Sequence, residues 1–107
     1  MTELVGSQAF VLAEQVDYAA GSVVSRTMLR KPTGTITLFA FDRGQGLSEH
    51  TAPFDALVQI VDGVAALTVG GKQIAAKAGE IVLFPAGIPH AVQADERFKM
   101  LLVMIRS

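Results

Sequence analysis

The chain is punctuated too often to hold a helix of ordinary length. Runs of four to eight residues rich in Val, Ile, Leu, Thr and Phe recur from end to end, and Gly, Asp-Gly or Pro closes them before a helical apolar stripe develops. Nine such runs stand out, at residues 10–14, 22–29, 35–41, 56–61, 64–69, 72–76, 81–84, 90–94 and 98–105. This rhythm predicts an all-β domain built as a sandwich or barrel. Gly70-Gly71 and Asp62-Gly63 each lie between two runs and read as two-residue hairpin turns, because both central positions of a type I′ turn take positive φ. Residues 14–20 have a helical turn as an alternative reading, ended by Gly21. Residues 1–20 are expected as an edge strand, paired with or swapped onto a neighbouring subunit so that an apolar edge is not left open.

Composition narrows the function classes. A length of 107 residues suits one domain with one core, and a chain that is half apolar and 18% charged is not a disordered tail. The net charge of -1 comes from interspersed acids and bases, so there is no basic stripe for a phosphate backbone and nucleic acid is not an expected partner. The N-terminus lacks a positive region, and the apolar run at residues 100–105 is far too short to span a bilayer. A cytoplasmic protein with no membrane partner is the expectation. The absence of cysteine excludes disulfides, thiol catalysis and thiolate-bound zinc, so any metal must sit among nitrogen and oxygen donors.

Residues 79–94 read GEIVLFPAGIPHAVQA. Gly79 turns the chain into a strand, Pro85 ends that strand because it cannot donate to a ladder, and Gly87 permits the bend that returns His90. The spacing of Gly79, Pro85, Gly87 and His90 resembles the second conserved motif of the cupin family. The first cupin motif is glycine, five residues, His-x-His, three or four residues, Glu, six residues, Gly. Residues 44–63 keep Gly44, His50 and Gly63 in place, but the second histidine position holds Ala52 and the glutamate position holds Ala56. The asparagine that often ends the second motif is replaced by Ala94. The chain therefore resembles a small single-domain cupin, residues 1–107, with a degenerate first motif. The resemblance implies a double-stranded β-helix, a jelly-roll-like β-barrel.

Cupins that bind metal use three histidines and a glutamate around iron, manganese, nickel, copper or zinc, leaving positions open for substrate. By this resemblance His50 and His90 are the candidate metal ligands. Strand alternation would place Ala52, Ala56 and Val58 on the same inner wall as His50, which empties that wall of donors. Glu49 and Asp55 have the opposite parity, although a bulge or the Pro53 turn could bring Asp55 inward. Gln59 is also off-face.

Each candidate has a plainer reading beside it. His90 could be a buried imidazole held by a backbone carbonyl, and His50 a polar residue at a loop edge. Facing one another without a metal, the two imidazoles could bind an anion or exchange protons. Phe39, Phe41 and Phe54, with Phe84, Met100 and Met104, either fill the core or line a ligand cavity. Arg26 is a minor candidate for a carboxylate contact, against a solvated strand position. The functional expectation is a homodimeric small-molecule-binding module with metal binding weak or absent. The alternatives are a metal-dependent dioxygenase, isomerase or decarboxylase and a purely structural or partner-binding β domain.

Overall fold

The longest strand organises everything else. In the computed structural model, which describes residues 3–107, strand β4 runs from Asp55 to Val69 and belongs to two sheets at once. Its first half pairs with β8 (Phe98–Ile105) and β6 (Ile81–Phe84); its second half pairs with β7 (His90–Gln93) and β5 (Lys72–Lys77). Strands β1 (Val23–Lys31) and β2 (Gly34–Phe41) extend the first sheet beyond β8, giving the order β1-β2-β8-β4-β6. Strand β3 (Gly46–His50) closes the second sheet beyond β7, giving β3-β7-β4-β5. All pairings are antiparallel, and the two sheets form the expected all-β, jelly-roll-like barrel.

The change of sheet within β4 corrects the reading of Asp62-Gly63 as a hairpin. The strand continues, and the ladder with β8 slips between Ile60 and Asp62. The slip reverses the inward parity: Ala56, Val58 and Ile60 are buried before it, Ala65 and Leu67 after it. A bulge thus lets both halves of one strand bury apolar side chains in one core. Gly63 sits at this point with φ 75°, where a Cβ would run into the Arg97 carbonyl oxygen. Gly70-Gly71 does form the expected tight turn, with φ of 57° and 80°.

Between the sheets, Phe41 and Phe98 stack with centroids 4.6 Å apart, and Val58, Ile60, Leu67, Phe84 and Met100 are fully buried around them. Each such side chain contributes about 1.5–3 kcal/mol through removal from water.

The reading of residues 10–14 as a strand is also corrected. Residues 10–14 hold a 3-10 turn at Leu12–Glu14, and no strand precedes Val23 among the described residues. The segment lies across the outer face of the first sheet, where Val16, Leu4, Leu12 and Tyr18 cover Met28, Leu38, Ala40 and Leu101. Leu4 donates its N–H to the Met28 carbonyl and Glu3 accepts the Arg30 N–H, both at 3.0 Å. Burial of this apolar face outweighs the local strand propensity of Phe10, Val11 and Leu12. Residues 46–50, which carry no alternating apolar pattern, form a strand because β7 offers them a ladder. No helix among the described residues is long and apolar enough to cross a membrane.

Candidate functional site

His50 and His90 are 40 residues apart in sequence and directly opposite one another in the β3–β7 ladder. That pairing follows a register slip between Leu47 and His50, which turns the last residue of β3 toward its partner. The Nε2 atoms lie 3.0 Å apart and the rings meet edge to face at 75°. Each ring is oriented in the same way. His50 Nδ1 lies 2.9 Å from the Ser48 carbonyl oxygen, and His90 Nδ1 lies 3.2 Å from that of Ile88.

These contacts assign the tautomers. A carbonyl oxygen only accepts, so Nδ1 carries the hydrogen in both rings and each neutral Nε2 presents a lone pair. Two lone pairs 3.0 Å apart repel unless something electron-deficient lies between them. One proton between the two Nε2 atoms turns the repulsion into a charge-assisted hydrogen bond and gives the pair a single positive charge.

The surroundings differ on the two sides. His50 is exposed, whereas His90 is only 7% exposed and stacks on Phe84 with centroids 4.6 Å apart. Burial first, and then the neighbouring His50, hold the His90 pKa below its ordinary 6.5; the Ile88 carbonyl pulls weakly the other way.

The loop ahead of His90 is fixed by backbone groups. Asp55 Oδ1 accepts the Ala86 N–H at 2.7 Å, the Ala52 carbonyl accepts the Gly87 N–H at 2.8 Å, and the Pro89 carbonyl accepts the Gly70 N–H at 2.8 Å. Gly87 takes φ 76°, as the bend requires. Asp55 is therefore an exposed loop anchor and does not turn inward; Glu49 is exposed as well. Sequence reasoning missed this anchoring role and the Ser48 carbonyl that orients His50, while the backbone carbonyl read as holding a buried His90 is that of Ile88. Backbone acceptors leave no mark in residue identity; only the tight Gly-Ile-Pro-His turn hinted at one of them.

The other candidates are dispersed. Phe41, Val58 and Met100 are fully buried in the core with Ala56, and Phe39 and Met104 pack against its edge. Ala52 and Phe54 are half-buried, with the Arg106 guanidinium 5.8 Å from the Phe54 ring centroid. Arg26 donates to the Gln15 carbonyl and side chain at 3.3 and 3.0 Å, which ties β1 to the N-terminal segment. A cleft of about 470 Å³ opens on the second sheet between Gln73 and Gln93, and neither histidine lines it.

Among the described residues no group of three His, Cys, Asp or Glu side chains gathers anywhere. Two imidazoles alone do not supply the three- or four-donor set that a resident transition metal takes, so these residues do not fit the group associated with the fold.

Comparison with known proteins agrees with the fold and with its motifs. The cupin domain family matches residues 37–105. An uncharacterized protein of Streptomyces coelicolor is 32% identical over 98 residues, covering 90% of this chain and 93% of that one. Among solved structures, a conserved protein of unknown function from Streptococcus pyogenes superposes with a TM-score of 0.93 at 33% identity, covering 99% of this chain and 93% of that chain. A cupin 2 conserved barrel domain protein from Leptotrichia buccalis is 44% identical with a TM-score of 0.87; the match covers 91% of this chain and 47% of that longer one. A two-sheet barrel with β4 in both sheets, the second motif in register and the family match over most of the chain lead to one conclusion: this chain belongs to the cupin family.

Proposed function

We propose that this cupin is a small-molecule-binding module whose ligand contact is the His50–His90 pair, used without a tightly held metal. The observation that supports this reading is the convergence of two Nε2 atoms at 3.0 Å with both Nδ1 atoms committed to carbonyls. When a proton is held between them, the rings present a localised positive charge backed by the apolar face of Phe84. Such a site suits a small carboxylate, whose oxygens take the charge while its apolar part lies against the aromatic floor.

The reading is tested on purified protein by metal analysis and by calorimetric titration with benzoate and acetate. The expected result is far less than one transition metal per chain, with benzoate binding lost in both His50→Ala and His90→Ala. A stoichiometric metal that disappears in either variant would overturn it and favour a metal-dependent enzyme. Benzoate binding unchanged in both variants would remove the histidines from the ligand site. Binding of neither carboxylate by the native chain would also count against the reading.

A further inference from the structure

Arg106 stands at the same end of the barrel as the histidine pair. Strand β6 ends at Phe84, β8 at Ile105 and β3 at His50, while β4 begins at Asp55 and β7 at His90. Antiparallel pairing sets the ends of β6 and β8 beside the start of β4, and the Phe84–His90 stack joins them to the second sheet. Along β8 the side chains of Phe98, Met100, Leu102 and Met104 turn to the interior. Arg106 comes two residues later, and its N–H extends the ladder by donating to the Thr33 carbonyl at 2.7 Å. Strand alternation therefore carries its side chain to the same face. There the guanidinium lies 5.8 Å from the ring centroid of Phe54, a half-buried residue with the parity of Ala56 and Val58.

We infer that the ligand is a small saturated dicarboxylate, held at one end by the His50–His90 pair and at the other by Arg106. The inference rests on the reading of the pair as a carboxylate contact and supplies the second end of the ligand. Charge is the first argument. Among the described residues no carboxylate pairs with Arg106. Asp55, next to Phe54, has the outward parity and gives its carboxylate to the Ala86 N–H. A guanidinium offers parallel N–H donors that match a carboxylate, and the aromatic ring beside it limits its orientations.

The wall between the two groups is the second argument. Phe84, Ala56 and Met104 are direct cross-strand neighbours on β6, β4 and β8, so they share one face, and Phe54 borders them. No polar side chain interrupts this row, which suits methylene groups and not hydroxyls. Spacing is the third. Neighbouring strands lie about 4.8 Å apart, so one to two strand spacings, about 5–10 Å, separate the floor of the histidine pair on β6 from a guanidinium that leaves β8 and lies beside Phe54. That span matches the two ends of a short-chain diacid.

Glutarate and valerate have chains of equal length and differ only in the second carboxylate, so calorimetric titration with the two acids isolates the share of Arg106. The native chain is expected to bind glutarate about tenfold more tightly than valerate. Arg106→Gln is expected to remove that advantage and to leave valerate affinity within about twofold, with far-UV circular dichroism retained. Arg106→Lys, which keeps the charge without the fork, should keep part of the advantage. Glutarate bound no more tightly than valerate, with valerate binding lost in His50→Ala and His90→Ala, overturns the inference and leaves the reading of the pair standing. A glutarate advantage that survives in Arg106→Gln overturns the inference as well. Binding of neither acid by the native chain overturns both.

Discussion

Each histidine of the pair is held by the carbonyl oxygen two residues before it, and this small repeated geometry decides the chemistry of the rings. The His90 pKa is lowered by folding, so the native state binds fewer protons than the unfolded state in acid. Stability is therefore at its full value above the ordinary histidine pKa of 6.5 and declines as pH falls through and below it. The thermal midpoint is expected to drop between pH 7 and about pH 5, with a shallower slope in His90→Gln; an identical slope in the variant would contradict the assignment. Motif spacing made the meeting of His50 and His90 legible in the sequence. Their tautomers were not legible, because main-chain oxygens set them. Asp55 was legible only as an alternative ligand; the Ala86 N–H that claims it belongs to a loop whose path depends on the whole barrel.

At the scale of elements, β4 shows what pattern reading reaches and where it stops. The runs at 56–61 and 64–69 were visible, but an Asp-Gly pair with glycine at positive φ serves a hairpin and a bulge alike. Only the pairing of both halves with other strands separates the two outcomes. Gly63→Ala is expected to destabilise the fold by about 1–3 kcal/mol, since alanine meets both an unfavourable φ and the Arg97 carbonyl. Chemical denaturation checks it, and a midpoint equal to that of the parent chain would show that the bend does not depend on glycine. Elements without internal periodicity were hidden for a different reason. Strand β3 has one apolar side chain, Leu47, in five residues and owes its conformation to β7. The 3-10 turn at Leu12–Glu14 owes its place to the sheet beneath it.

The molecule as a whole is secured by the covering of its first sheet. Lys99 on β8 is buried and donates to the Ala13 carbonyl, with its ammonium 4.9 Å from the Tyr18 ring centroid. Tyr18 in turn donates its hydroxyl to Asp62 beside the bulge. Burial, followed by the hydrogen bond to the Asp62 carboxylate, pushes the Tyr18 pKa well above its ordinary 10. The N-terminal segment is thus anchored at the point where β4 passes from one sheet to the other. No local sequence signal announces this contact, because it joins residues 44 positions apart through a phenol and a carboxylate.

That shared strand has a kinetic meaning. A sandwich made of two separate sheets can loosen one sheet while the other persists, but here neither sheet can release its hydrogen bonds without disturbing β4. Amide hydrogens on both halves of β4 are therefore expected to exchange with one common protection free energy, equal to that of global unfolding, when followed by native-state exchange in low denaturant. Two distinct values, one for each half, would refute this. In a barrel that opens as one such unit, a disturbance that loosens the β8 side of β4 is felt in the ladder that carries His90.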